Sequence, residues 1–182
     1  IERNNYQLDD LFFVIATQNP VEYHGTYPLP EAQMDRFAMR FKLGYVTEDQ
    51  EVAILEKQKG HHPIELLESC VNKEDVVNLK KKVININVSD EVKRYMVKLM
   101  RATRESEGIL NGASPRASLS MMKAAQALAL FDGMDYVSPD HVQEIAISVI
   151  SHRIMMNFQS RFSGNNRDQI IDDILSKTPV PI

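Results

Sequence analysis

The segment Leu11-Phe12-Phe13-Val14-Ile15-Ala16 constrains this chain more than any other, because six consecutive apolar residues leave no polar face for water. Half-exposed strands alternate, whereas unbroken runs of this length belong to parallel-sheet strands covered on both sides. The run predicts such a strand, and it stops abruptly at Thr17-Gln18-Asn19-Pro20. In open parallel α/β sheets ligands gather beyond the carboxyl ends of the strands, so polar side chains at this point face the usual crevice. Asn19 is the foremost candidate there. Its carboxamide has two donors and an acceptor, and could orient an attacking water or touch a terminal phosphate oxygen. Asn19-Pro20 reads equally well as a plain turn.

Tyr27-Pro28-Leu29-Pro30 follows, and each proline fixes its own φ while pushing the preceding residue toward extended geometry. Pro30 can open a short helix from Glu31 to Arg36, which would carry Arg36 on a stiff support near the strand end. Phe37, Met39, Phe41 and Leu43 then alternate with Ala38, Arg40 and Lys42, the period of an edge strand. Much further on, Ser114-Pro115 reads as an N-cap with a first-turn proline, placing Arg116 in the opening turn of a helix that runs to about Asp132. The helix dipole opposes a cation there by about 0.3–1 kcal/mol. Other helix starts avoid the conflict. Thr47 precedes Glu48 and Asp49, Ser89 precedes Asp90 and Glu91, and Ser138-Pro139 precedes Asp140. An anion held beside Arg116 would reverse the sign of that cost. On the residues alone, solvated surface arginines remain the alternative for both Arg36 and Arg116.

Three motifs, ATQNP at 16–20, GTYPLPEAQMDRF at 25–37 and GASPRASL at 112–119, together resemble the MoxR branch of the AAA+ ATPases, and the similarity extends along essentially the whole chain. The resemblance implies that Asn19 is the sensor 1 residue. It implies that Arg36 is the arginine finger reaching a neighbouring subunit's ATP, and that Arg116 is the sensor 2 arginine. It further implies a hexameric ring doing chaperone-like remodelling or maturation of client proteins, often ones with von Willebrand-type domains. An arginine finger stabilises a loose phosphoryl-transfer transition state, on the order of 10³–10⁵ in rate. With Arg116 on the lid and Asn19 on the core sheet, ATP would bridge two rigid bodies, with a hinge near Gly44-Tyr45-Val46.

Phosphoryl transfer of this kind needs a glycine loop of the form GxxxxGK[ST] and an acidic strand end for Mg2+. The sequence contains no such loop, and Asp90-Glu91 read as first-turn acids of a helix rather than metal ligands. In the family these elements would lie upstream of Ile1. The expectation is therefore a C-terminal portion of an ATP hydrolase that does not turn over ATP alone. A helical adaptor without catalysis, and a DNA-acting or chelatase-type ring ATPase, are the competing classes. A formal charge of only −4 gives no phosphate-backbone footprint, so nucleic acid is disfavoured. No apolar run approaches the roughly 18 residues of a spanning helix. A single cysteine, Cys70, excludes an internal disulfide framework, fits the cytoplasm, and reads as a small buried or half-buried thiol.

The pattern changes character near Tyr45. Residues 1–45 read as the end of an α/β core with two strands, and residues 46–182 as an all-helical lid bundle, so the fold class is mostly α. Helices are expected from Thr47 to about Lys59, Lys73 to Lys82, from Ser89, from Ala117 to Phe131, around Val142 to Ile150, and from Arg167 to Leu175. His61-His62 follows Gly60 and reads as loop; the methionines at 121, 122, 155 and 156 read as core.

Overall fold

Ser89 accepts from the backbone N–H of Val92 at 3.3 Å, and this cap launches a helix that buries Val92, Tyr95, Met96, Leu99 and Met100 on one face. The computed structural model describes residues 5–18, 29–57, 63–164 and 166–181. Its element order is α1 Glu31–Met34, α2 Glu48–Lys57, a 3₁₀ turn Pro63–Leu66, α3 Lys73–Asn85, α4 Asp90–Glu105, β1 Ile109–Asn111, α5 Pro115–Phe131, α6 Pro139–Ile150, β2 Met155–Met156, α7 Phe158–Phe162 and α8 Arg167–Lys177. The chain is mostly α. By its internal contacts it divides into two units, residues 1–12 with 41–79, and residues 13–40 with 80–182, and the division falls inside α3.

The second unit holds the core. Tyr95, Leu99 and Met100 of α4 pack with Val142, Ala146 and Val149 of α6 around a stripe on α5, Ala117, Met121, Ala125 and Ala129, all four fully buried. Small residues four apart on α5 let its neighbours approach closely, which is why a helix apolar over most of its surface fits the centre. α5 ends in a left-handed Gly133, φ +73°. Its N–H bonds to Leu130 O at 3.1 Å and that of Met134 to Ala129 O at 2.8 Å, the paired bonds of a Schellman stop. α6 opens with a capping box in which Ser138 and His141 satisfy each other's backbone. β1 and β2 pair antiparallel across Ile109 and Met156. Met121 and Met156 are buried, as core methionines should be.

The first unit contains α2, started by reciprocal bonds between Thr47 and Gln50, and Lys73 there pairs with Asp9. Its described side chains are nearly all exposed.

Several expectations need correction. Neither 11–16 nor 37–43 forms a strand; among the described residues the named strands are β1 and β2 alone. A single segment has no ladder to join, and Phe12, Phe13, Val14 and Ile15 are left exposed. Residues 37–40 dock on α6 instead, where Arg40 N–H bonds to Ser148 O at 2.9 Å. α1 stops at Met34, so Arg36 sits in a following turn rather than in the helix. α3 runs past Lys82 to Asn85, and the short α7 was not anticipated. Cys70 is exposed, not buried, because it lies in a bend between two surface elements. Asn19, Tyr27-Pro28, Gly60 and His61-His62 lie outside the described residues.

Candidate functional site

The turn after α1 brings Asp35 against the opening of α5. Ser114 has the extended backbone of an N-cap, but its hydroxyl makes no cap bond. Instead Ser114 Oγ donates to both carboxylate oxygens of Asp35, at 3.0 and 3.2 Å. Arg116 Nη1 lies 3.7 Å from Asp35 Oδ2, and Arg153 Nε lies 3.4 Å from Oδ1. The cation in the first turn of α5 thus has the anion that its position calls for, and in this structure that anion is an internal carboxylate.

Arg153, just beyond α6, is the buried member, with a side chain 0% exposed against 27% for Asp35 and 55% for Arg116. Its Nη1 donates to Val149 O at 2.8 Å, and its Nη2 donates to Phe37 O at 2.7 Å and to Ser120 Oγ at 2.9 Å. Nε has no aligned hydrogen bond among the described residues and meets Asp35 by proximity of charge. Burial pushes the Arg153 guanidinium below its ordinary value, the Asp35 carboxylate opposes this, and Arg116 adds to the lowering. It stays charged nevertheless. Its two Nη groups anchor it to α5, α6 and Phe37, and the Asp35 carboxylate adds an opposite charge beside Nε.

His152 completes the grip. Its Nε2 lies 3.0 Å from Phe37 O, and since a carbonyl only accepts, Nε2 carries the proton. Nδ1 is buried without a partner among the described residues. Burial pushes this imidazole below its ordinary value; the Phe37 carbonyl and Asp35 oppose that, while Arg153 and Arg40 reinforce it.

The segment GASPR is placed by α4. Thr103 Oγ1 accepts from Ala113 N–H at 2.9 Å, and Arg104 Nε donates to Ala113 O at 2.8 Å. A side chain at Gly112 would meet the Arg104 backbone at 2.7 Å, so only glycine allows this approach.

Of the predicted site residues, Arg116 faces Asp35, the chain neighbour of Arg36, and both arginines are exposed. Sequence reasoning missed Asp35, His152 and Arg153. Arg153 also bonds to a carbonyl of the last turn of α6, where a cation suits the helix dipole. A second arrangement, Ser138, His141 and Asp132, only imitates a catalytic relay. His141 Nδ1 accepts from Ser138 N–H at 3.0 Å and Nε2 faces Asp132 at 3.1 Å, so the ring closes a helix end.

The comparisons with known proteins bear on this locus. A family model described as AAA lid domain matches residues 101–174, which carry Arg116 and Arg153. A second, for the ATPase family associated with various cellular activities, matches residues 1–39, which carry Asn19 and Arg36. The chaperone MoxR1 of Mycobacterium tuberculosis is 35% identical over 93% of this chain and 47% of its own length. The chain belongs to the MoxR branch of the AAA+ ATPases. An uncharacterized Bacillus subtilis protein, YeaC, is 43% identical over the whole chain and 57% of its own length. A crystal structure of a candidate ATPase from Cytophaga hutchinsonii superposes with a TM-score of 0.89 at 36% identity, over 97% of this chain and 56% of that one. The chain therefore spans about half the length of the curated relatives that it matches.

For a MoxR-type chain the relevant fit is to nucleotide. An opening helix turn with a hydroxyl and a guanidinium already closed on a carboxylate suits a phosphate oxygen. Among the described residues no group of three His, Cys, Asp or Glu could hold a metal ion, so no Mg2+ ligand is assigned. No helix among them is long and apolar enough to cross a membrane.

Proposed function

We propose that this chain supplies the phosphate-reading arginines of a MoxR-type ring ATPase, with Arg36 as the arginine finger, Arg116 as the sensor 2 residue and Asn19 as sensor 1. The observation that carries the proposal is the closure of Ser114 and Arg116 on Asp35. The same charges and donors would serve a phosphate oxygen. Arg116 would read the nucleotide from the lid together with Asn19, and Arg36 would reach the ATP of a neighbouring subunit.

Charge builds on the transferred phosphoryl oxygens as the bond to the leaving group breaks, and a planar guanidinium matches that developing charge. Head-to-tail subunits would close into a ring, by resemblance a hexamer in the cytoplasm. The glycine loop and the Mg2+ site would come from other parts of the assembled protein, and this chain by itself would not turn over ATP. Loss of phosphate would remove an anion from beside Arg116, with Asp35 still held by Ser114, and thereby change the preferred conformation of the lid. The work drawn from that change would be chaperone-like remodelling of clients, including proteins with von Willebrand-type domains.

Steady-state ATP turnover by the full-length protein tests the reading. Arg36→Ala is expected to lower kcat by about 10³–10⁵. Arg116→Ala should lower kcat/KM with it. Wild-type turnover by both variants would overturn the assignment, and no turnover by the unsubstituted protein would favour a non-enzymatic adaptor.

A further inference from the structure

Residues 35 and 37 are both held, and the residue between them is exposed. From this we infer that Arg153, helped by His152, is the positioning residue for the arginine finger: it fixes both chain neighbours of Arg36 to α5 and α6 and so presents the Arg36 guanidinium. The inference rests on the reading of Arg36 as the finger.

The grip has two points. On the N-terminal side, the Asp35 carboxylate is held by Ser114 Oγ at 3.0 Å and faces Arg153 Nε at 3.4 Å. On the C-terminal side, the Phe37 carbonyl accepts from Arg153 Nη2 at 2.7 Å and from His152 Nε2 at 3.0 Å. Arg153 is the one side chain that reaches both points. Its own orientation is fixed by Val149 O and Ser120 Oγ, so the anchor belongs to the helices and not to the turn. A guanidinium can do this because its five donors diverge in one plane; a lysine ammonium on the same stem can satisfy one point but not both.

The arrangement exceeds what packing alone requires. A whole buried ion pair is often replaceable by apolar side chains of similar volume without loss of stability. A charge contact on one side of an exposed arginine and a hydrogen bond on the other, by contrast, set where that arginine is. Arg36 then travels with α5 and α6, and any rearrangement of these helices on nucleotide exchange is delivered to the finger. Displacement of a catalytic group by about 1 Å costs on the order of 10²-fold in rate.

The test uses the full-length protein. Arg153→Lys is expected to lower kcat for ATP by about tenfold to a hundredfold while KM stays within about twofold, because the ground-state contacts to nucleotide are not touched. Asp35→Asn, which keeps an acceptor for Ser114 but removes the charge facing Arg153, should lower kcat in the same way, and it serves if Arg153→Lys fails to fold. In an Arg36→Ala background, followed by single-turnover release of labelled phosphate, Arg153→Lys should change the rate by less than about twofold. Multiplicative loss in that background, or unchanged kcat in both single variants, overturns the inference. If Arg36→Ala itself turns over ATP at the wild-type rate, the underlying reading fails instead.

Discussion

The imidazole of His152 sits where a proton would be least welcome. Its Nε2–H is committed to the Phe37 carbonyl, Nδ1 is buried without an acceptor, and Arg153 and Arg40 place positive charge nearby, with Asp35 opposing them. Its folded pKa lies below the ordinary 6.5, so the unfolded chain binds the proton more readily. The contribution is complete above 6.5 and is lost as pH falls from 6.5 toward the lowered folded value. Urea midpoints should therefore drop between about pH 7.5 and about pH 5.5, and His152→Gln, which keeps a donor to Phe37, should flatten part of that drop. An unchanged pH slope in the variant would contradict this account of the ring. Little of it was legible in the sequence. Arg116 could be flagged, since it is a cation in a first turn where other helices carry acid. Asp35 could not, because its partner Ser114 is 79 positions away.

Elements were legible where local chemistry decides them and illegible where partners do. Ser89, Thr47 and Ser138 announce α4, α2 and α6 through bonds made within three residues. The run 11–16 announces a strand just as clearly, yet a strand needs a ladder, and among the described residues none pairs with it. Residues 37–40 keep their alternation, with docking on α6 in place of sheet pairing, whereas Phe41 and Leu43 are exposed. β1 and β2, three and two residues long, are too short for any period to show. Gly112 is different again: its necessity comes from the α4 end pressing on the loop before α5. Gly112→Ala should destabilise by about 1–3 kcal/mol, read as a lowered urea midpoint, since besides the Arg104 side chain the obstruction includes the Arg104 backbone at 2.7 Å, which cannot swing aside. A variant as stable as the parent would mean that the α4–α5 junction is looser than described.

On the scale of the whole molecule, the reading joins a match to the AAA lid domain at 101–174 with a match to the AAA ATPases at 1–39 through one carboxylate. The family was legible in three motifs. Which arginine serves which nucleotide was not, because that depends on where folding puts Arg116 relative to Arg36, and the sequence expectation had Arg116 reading ATP together with Asn19. Under the proposed roles Arg116 reads the nucleotide of its own subunit together with Asn19, and Arg36 is donated to the neighbour's. Mixing subunits tests this most directly. Full-length Arg36→Ala and Arg116→Ala proteins, each impaired alone, are combined and ATP turnover of the mixed rings is measured. If the two arginines come to a site from different subunits, some sites in the mixture regain both and turnover recovers. A mixture as slow as its components would show that one subunit donates both, and would contradict the account.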